Sequence, residues 1–439
     1  MSRKRESGIL LALFVVAMIV SAAFGAALPA GFRENQSTDY LTAYEPVARA
    51  IAAGSGVTQD GEIATRYPPG FSLILAGVFR LSAALGVSDE SALIAFRLLS
   101  AGSSVALMYL LARLVWSPAL SMLTAVGWMT YPFFLWLTKQ PNSEVPFLPV
   151  LFGAFYLFWR PVLGGKRGLR AWITFLGAGI LVGAAMLIRP AALGISLVMA
   201  LAVLLLSERG VRLTSRIGYG VLIVIGSLIP VVPWEAAAYA RTGAIIPLSS
   251  GGSLTVIDGL TFLAVPKDYR REVPIPGDVA ELMWAIHERR PDMVASGSMP
   301  VVLEEVARAP WAFAKLMAIK VARSWYGVDS RIMEYPALAL QLVYLALILL
   351  GSFYSWRRGG ALRRMIAGNW LVALYFWGMT LLVVPLLRYM VPAMGMLMLS
   401  LPGAYLSLVT RLQSEPSASV TDSSLDLHGS STGSGTGNA

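Results

Sequence analysis

Asp39, Arg66 and the run Tyr67-Pro68-Pro69-Gly70 lie in one polar stretch, roughly residues 29–91, of a chain that is otherwise mostly apolar. A carboxylate just past a membrane span can meet an embedded substrate. There it can take a proton from an incoming hydroxyl or amine as a general base. Arg66 offers a planar, permanently charged fork that suits a phosphodiester or pyrophosphate headgroup. Each residue also has a plainer reading. Ser37 or Asp39 suits a helix N-cap, Arg66 suits an anchor among ordinary lipid headgroups, and a solvated helix face explains Glu45. The concentration of acids, an arginine and a stiff Pro-Pro turn in one loop favours half of an active site at the membrane surface.

Short helices must carry these groups. Tyr44, Ala48, Ile51 and Ala52 fall on one face of a helix within residues 39–54, too short and polar to span. Pro68 and Pro69 fix the backbone before a second helix over 71–85, where proline is tolerated at the first turn. Arg80 interrupts that helix, so it is expected to dip into the membrane interface rather than cross.

The remainder sets the frame. Of 439 residues, 56% are hydrophobic and 14% charged, too little charge to cover a soluble domain of this size. Apolar runs of about 20 residues read as spanning helices. Ten are drawn, over 9–28, 92–116, 119–137, 145–159, 171–188, 191–206, 217–234, 336–356, 366–386 and 390–408. The chain is therefore expected to be an all-α polytopic membrane protein of about ten or more transmembrane helices, with interfacial helices in the first outer loop. Residues 1–412 form the transmembrane unit. Residues 413–439, rich in Ser, Gly and Thr, form a disordered tail. The first 30 residues also resemble a signal peptide, but their long apolar run favours an uncleaved span.

Basic residues cluster in alternate connections: 3–5, 160–170, 209–216, 357–364 and Arg411. The positive-inside rule then places both termini in the cytoplasm and the first loop outside, in the cell membrane. The net charge of +10 is thus a topology signal toward lipid rather than a nucleic-acid footprint. No cysteine is present, and the two histidines, His287 and His428, are far apart, which excludes disulfides and a histidine-rich metal site. A second outer region, 241–334, carries 11 Lys/Arg against 11 Asp/Glu. Within it, 301–326 reads as one helix, either in the membrane interface with Trp311, Trp325 and Tyr326 at headgroup level or packed as an amphipathic element. Lys139, Gln140, Asn142, Glu144, Arg189, Glu235, Arg388 and Tyr389 reach the same outer face. No ionisable group sits mid-span, whereas ion-coupled transporters place such groups near the midplane.

The order of these features resembles the GT-C fold glycosyltransferases, most of all the family-39 and lipid-A aminoarabinose transferase type that includes protein O-mannosyltransferases. The likeness rests on Asp39 after the first span, the surface helix ending at Gly54, the Pro-Pro turn, the Glu144 loop, Leu187-Ile188-Arg189-Pro190 and Arg388-Tyr389-Met390-Val391-Pro392. It implies an inverting transferase that takes a sugar from a polyprenyl phosphate at the outer face, its acceptor a protein, lipid or cell-wall glycan. Asp39 takes the place of the catalytic base. Arg66, Arg189 and Arg388 are placed to hold the donor phosphate, with Tyr44, Glu45, Tyr67, Asn142, Glu144 and Tyr389 as substrate contacts. Relatives often carry Lys before Pro-Pro and Asp-Glu at the base, where this chain has Tyr67 and Asp39-Tyr40. No cofactor is called for, and a divalent metal stays open. A transporter or flippase of lipid-linked sugars, or a non-catalytic membrane scaffold, are the rival classes.

Overall fold

The structure, a computed structural model, describes residues 3–33, 37–165, 168–208, 210–262, 275–291, 293, 297–328 and 330–414. Lys166, Arg167, Arg209, the start of the 273–278 turn and most of the 413–439 tail, with His428, lie outside the described residues.

The described chain is helical apart from one small hairpin. In order it forms α1 (Arg3–Ala27), a π-helical turn (Tyr40–Tyr44) running into α2 (Glu45–Ala52), and strands β1 (Thr58–Gln59) and β2 (Glu62–Ile63). There follow α3 (Gly70–Leu85), α4 (Asp89–Ala112), α5 (Pro118–Met129), α6 (Pro132–Leu137), α7 (Glu144–Gly164), α8 (Leu169–Ile188), α9 (Ile195–Leu206) and α10 (Leu213–Thr242). The second half holds α11 (Gly252–Leu260), α12 (Gly277–Glu288), α13 (Ser298–Arg308), α14 (Pro310–Arg323), α15 (Glu334–Arg358), α16 (Gly360–Leu382), α17 (Val391–Met398) and α18 (Leu401–Ser414).

Among the described residues, seven helices are long and apolar enough to cross a membrane: α1 from Lys4, α4, α7, α8, α10, α15 and α16. The pair α17 and α18 adds an eighth if its 44° bend is one broken span. Of the runs expected over 119–137, 191–206 and 390–408, the first is divided at Tyr131-Pro132, the second forms a shorter apolar helix, Pro190–Leu206, and the third bends between Met398 and Leu401. A residue before proline is pushed out of the helical region. Tyr131 before Pro132 is extended at φ −66°, ψ 114°, and Arg189 before Pro190 at φ −145°, ψ 126°. The helix expected over 301–326 divides in the same way, Ala309 standing at φ −135°, ψ 62° before Pro310.

Small residues let the spans approach closely. A Cβ on Gly179 or Gly183 of α8 would lie 2.3 or 2.2 Å from backbone oxygens of α10, a spacing that suits backbone-to-backbone packing where lipid removes the hydrophobic drive. The main core fills the space between α1, α4, α7, α8, α9, α16 and α17, with Trp128, Trp159, Phe152 and Phe155 fully buried. A separate core of Ile257, Leu260, Val279, Met283, Ile286, Val301 and Leu316 holds α11 to α14 together. Lys320 of α14 is buried there and donates from Nζ to Gly259 O at 2.7 Å. Burial alone pulls its ammonium down to about 7.

Candidate active site

The loop carrying Asp39 is built around a missing hydrogen bond. Pro46 has no N–H for the carbonyl of Thr42, and the helix widens so that Glu45 N–H reaches Tyr40 O instead. Gln59 Nε2 on the hairpin then satisfies Thr42 O at 3.1 Å. Ser37 Oγ accepts from Tyr40 N–H at 3.4 Å. Asp39 itself has helical dihedrals and makes no capping bond. Its Oδ1 accepts from the Tyr67 hydroxyl at 2.8 Å.

Arg80 does not break α3. Its Nη2 and Nε reach back to Ile51 O and Ala52 O at 2.8 and 3.1 Å, covering carbonyls at the end of α2. Glu45 pairs with Arg49 at 2.7 Å, and Arg49 with Asp89 at 3.1 Å, which fastens α2 to the start of α4. Glu45 thus serves the loop's anchorage and lies outside the cavity described below.

The Pro-Pro turn meets the end of α8. A Cβ on Gly70 would stand 2.5 Å from the Leu187 carbonyl carbon, so Tyr67 and Arg189 come to the same level. Tyr44 bridges them. Its ring stacks on Tyr67 with centroids 4.8 Å apart, and meets Phe71 edge-on at 4.9 Å. Its hydroxyl lies within hydrogen-bonding reach of Ser143, and Ser143 Oγ accepts from Arg189 Nη1 at 2.8 Å. Burial is the main reason that the Tyr44 hydroxyl is raised well above the phenol range, with Arg189 opposing.

Arg189 also pairs with Glu144 Oε2 at 2.6 Å, both side chains about one-eighth exposed (14% and 12%). Arg388 is close enough to Glu144 to act on its charge. The two guanidinium carbons stand 5.7 Å (Arg189) and 5.1 Å (Arg388) from the Tyr389 ring centre. A small cavity lined by Leu137, Glu144, Phe147, Arg189, Arg388 and Tyr389 opens here. Asn142 is occupied elsewhere. Its Nδ2 donates to Leu137 O (2.7 Å) and Gln140 O (3.2 Å), and its Oδ1 accepts from Val145 N–H (3.1 Å), so it closes the loop before α7.

Arg66 stands apart from the Arg189–Arg388 pair. It lines a neighbouring cavity with Tyr44, Gln59 and Tyr67, and its guanidinium is 5.5 Å from the Tyr67 ring centre. The sequence reading overlooked Ser143, which links Tyr44 to Arg189, and Arg97 of α4, whose Nη1 holds the loop at Thr138 O (3.2 Å). A lone arginine near the end of an apolar run was the available signal for Arg97. Nothing in the sequence marked Ser143 beyond its place beside Glu144.

Among the described residues no three His, Cys, Asp or Glu side chains converge to hold a metal ion. Glu144 and Glu45 are each engaged with an arginine. This set does not fit a divalent ion.

A helical membrane bundle with a helix-bearing first loop and the Asp39, Glu144 and paired-arginine positions at one end is a GT-C-like fold. Residues 66–234, from Arg66 into α10, match the family described as dolichyl-phosphate-mannose-protein mannosyltransferase. A search of curated proteins finds no match. Among solved structures, the chain is similar to the archaeal oligosaccharyltransferase AglB from Archaeoglobus fulgidus in complex with an inhibitory peptide and a dolichol-phosphate. The identity is 13%, the TM-score 0.55, and the match covers 93% of this chain and 52% of that one. A second structure, the Archaeoglobus fulgidus oligosaccharyltransferase complex with Zn and sulfate, matches at 14% identity and TM-score 0.53, over 91% of this chain and 51% of that one. The chain thus spans about half the length of both.

Proposed function

We propose that this chain is a membrane-embedded glycosyltransferase that moves a sugar from a polyprenyl-phosphate donor to an acceptor hydroxyl or amine. One observation carries the reading: a carboxylate with an open oxygen and a half-buried arginine, Arg189, are joined through a single wall, Asp39–Tyr67–Tyr44–Ser143–Arg189, with the exposed Arg388 lining the same cavity as Arg189. The family match over 66–234 and the fold likeness support the same class.

Asp39 takes the proton from the acceptor as its oxygen or nitrogen attacks the anomeric carbon. The bond from that carbon to the phosphate oxygen breaks on the opposite side, and the phosphate departs with the electron pair. A single displacement of this kind inverts the anomeric configuration. Arg189 and Arg388 face the charge that grows on the phosphate, where fixed cations in a low-dielectric site act most strongly. Two guanidiniums against the one Glu144 carboxylate leave a net positive charge, which matches a phosphodiester. The one-sided basic connections support a reading in which this end of the bundle lies on the outer face of the membrane.

The test is transfer by purified protein, offered radiolabelled polyprenyl-phosphate sugars and a crude envelope acceptor fraction. The wild type labels an acceptor, and Asp39→Asn lowers turnover by about 100-fold or more. Transfer at the wild-type rate by Asp39→Asn rejects the base assigned here. Movement of fluorescent lipid-linked sugar across liposomes without acceptor, and with no transfer, would favour a flippase.

A further inference from the structure

Tyr67 stands directly before Pro68-Pro69, and nothing in the displacement above requires a phenol there. Its hydroxyl nevertheless donates to Asp39 Oδ1 at 2.8 Å. Oδ2 has no hydrogen-bond partner among the described residues. The Tyr67 ring is itself held. Tyr44 stacks on it at 4.8 Å, the Arg66 guanidinium lies 5.5 Å from its centre, and Pro68 restricts its backbone. Tyr44 is held in turn by Phe71, and its carbonyl accepts from Ser72 Oγ at 3.1 Å.

The carboxylate torsion of an aspartate is broad and roughly two-fold, so an unheld Asp39 would present either oxygen in many directions. A general base acts only within hydrogen-bond reach of the proton it removes, and small misplacements cost rate steeply. We propose that Tyr67 is the positioning residue for the base: it anchors Oδ1 of Asp39 so that Oδ2 faces the acceptor and receives its proton. The role rests on the assignment of Asp39 as that base. Burial first, and then the bond to the Asp39 carboxylate, push the Tyr67 phenol up to about 12. It therefore keeps its proton and goes on donating at neutral pH. A phenol orients the carboxylate without neutralising it, so the oxygen left open stays basic.

Tyr67→Phe tests this, because it keeps the ring and its stack on Tyr44 while removing only the hydroxyl. In the transfer assay kcat should fall by about 10-fold or more, with KM for donor and acceptor within about twofold and an unchanged thermal midpoint. A merely structural role would move the midpoint, and a substrate contact would move KM. Wild-type kcat in Tyr67→Phe beside an inactive Asp39→Asn overturns the positioning role and leaves the base in place. A loss confined to the donor KM overturns it in favour of direct substrate contact. Transfer that persists in Asp39→Asn removes the base, and the role of Tyr67 with it.

Discussion

Ser37, not Asp39, meets the first N–H of the loop helix, which leaves the Asp39 carboxylate for Tyr67. The two arginine settings divide just as sharply. Arg388 shares a cavity with Glu144 and Arg189, whereas Arg66 lines another and carries no ion pair among the described residues. Arg388→Ala should therefore weaken binding of polyprenyl phosphate by roughly 10- to 100-fold, the scale of a hydrogen bond to a charged group. Arg66→Ala should leave that affinity within about twofold. Titration of the lipid into each purified variant decides it, and equal losses in both would place Arg66 with the pair after all. Asp39, Arg189, Glu144 and Arg388 were legible in the sequence because a topology of alternating basic connections brings them to one end of the bundle. The bond from Tyr67 to Asp39 and the bridge through Ser143 were not, since each joins residues far apart in the chain. Asn142 and Glu45 drew notice by polarity alone, which does not tell a loop clamp or a surface ion pair from a ligand.

Proline decides where the elements stop. Tyr131, Arg189 and Ala309 each precede a proline and each leave the helical region: at Tyr131 and Ala309 a run that reads as continuous is divided, and at Arg189 α8 ends. Hydropathy could find the apolar residues there, but it is blind to backbone restriction, which is why the expected span over 119–137 and the expected helix over 301–326 are each divided. At Arg189 the break is useful. The side chain sits at the lip of α8 instead of on its flank, facing Glu144 and Ser143. The contact of Gly70 with Leu187 sets this lip against the Pro-Pro turn. Gly70→Ala would force backbone against backbone, at a cost of about 1–3 kcal/mol. The thermal midpoint and turnover should drop together, because the same displacement separates Tyr67 from Arg189. A variant with full activity and an unshifted midpoint would show that the junction has slack.

The molecule as a whole gathers its candidate site at one end, and the absence of cysteine makes the side of that end measurable. Ser55→Cys in the first loop and Thr214→Cys at the start of α10 each add a single exposed thiol. In intact cells a membrane-impermeant maleimide should label the first and spare the second until the membrane is opened. The reverse pattern would put the Asp39 end in the cytoplasm. The fold class was readable at this scale because apolar length and charge alternation are properties of whole segments. The helical packing of 241–334 was less so, since its second core assembles from α11 to α14, and no single segment shows it.

The pairing of Glu144 with Arg189 has a further consequence once a reaction cycle is considered. The arriving lipid is a diester with one negative charge, and the departing carrier is a monoester with nearly two. Cations fixed in a half-buried pocket hold the second more tightly than the first. On the proposed chemistry, the enzyme is therefore slow to release what it has spent. Its throughput in a cell is then set by whatever clears the discarded lipid carrier from that leaflet, as much as by the supply of activated sugar.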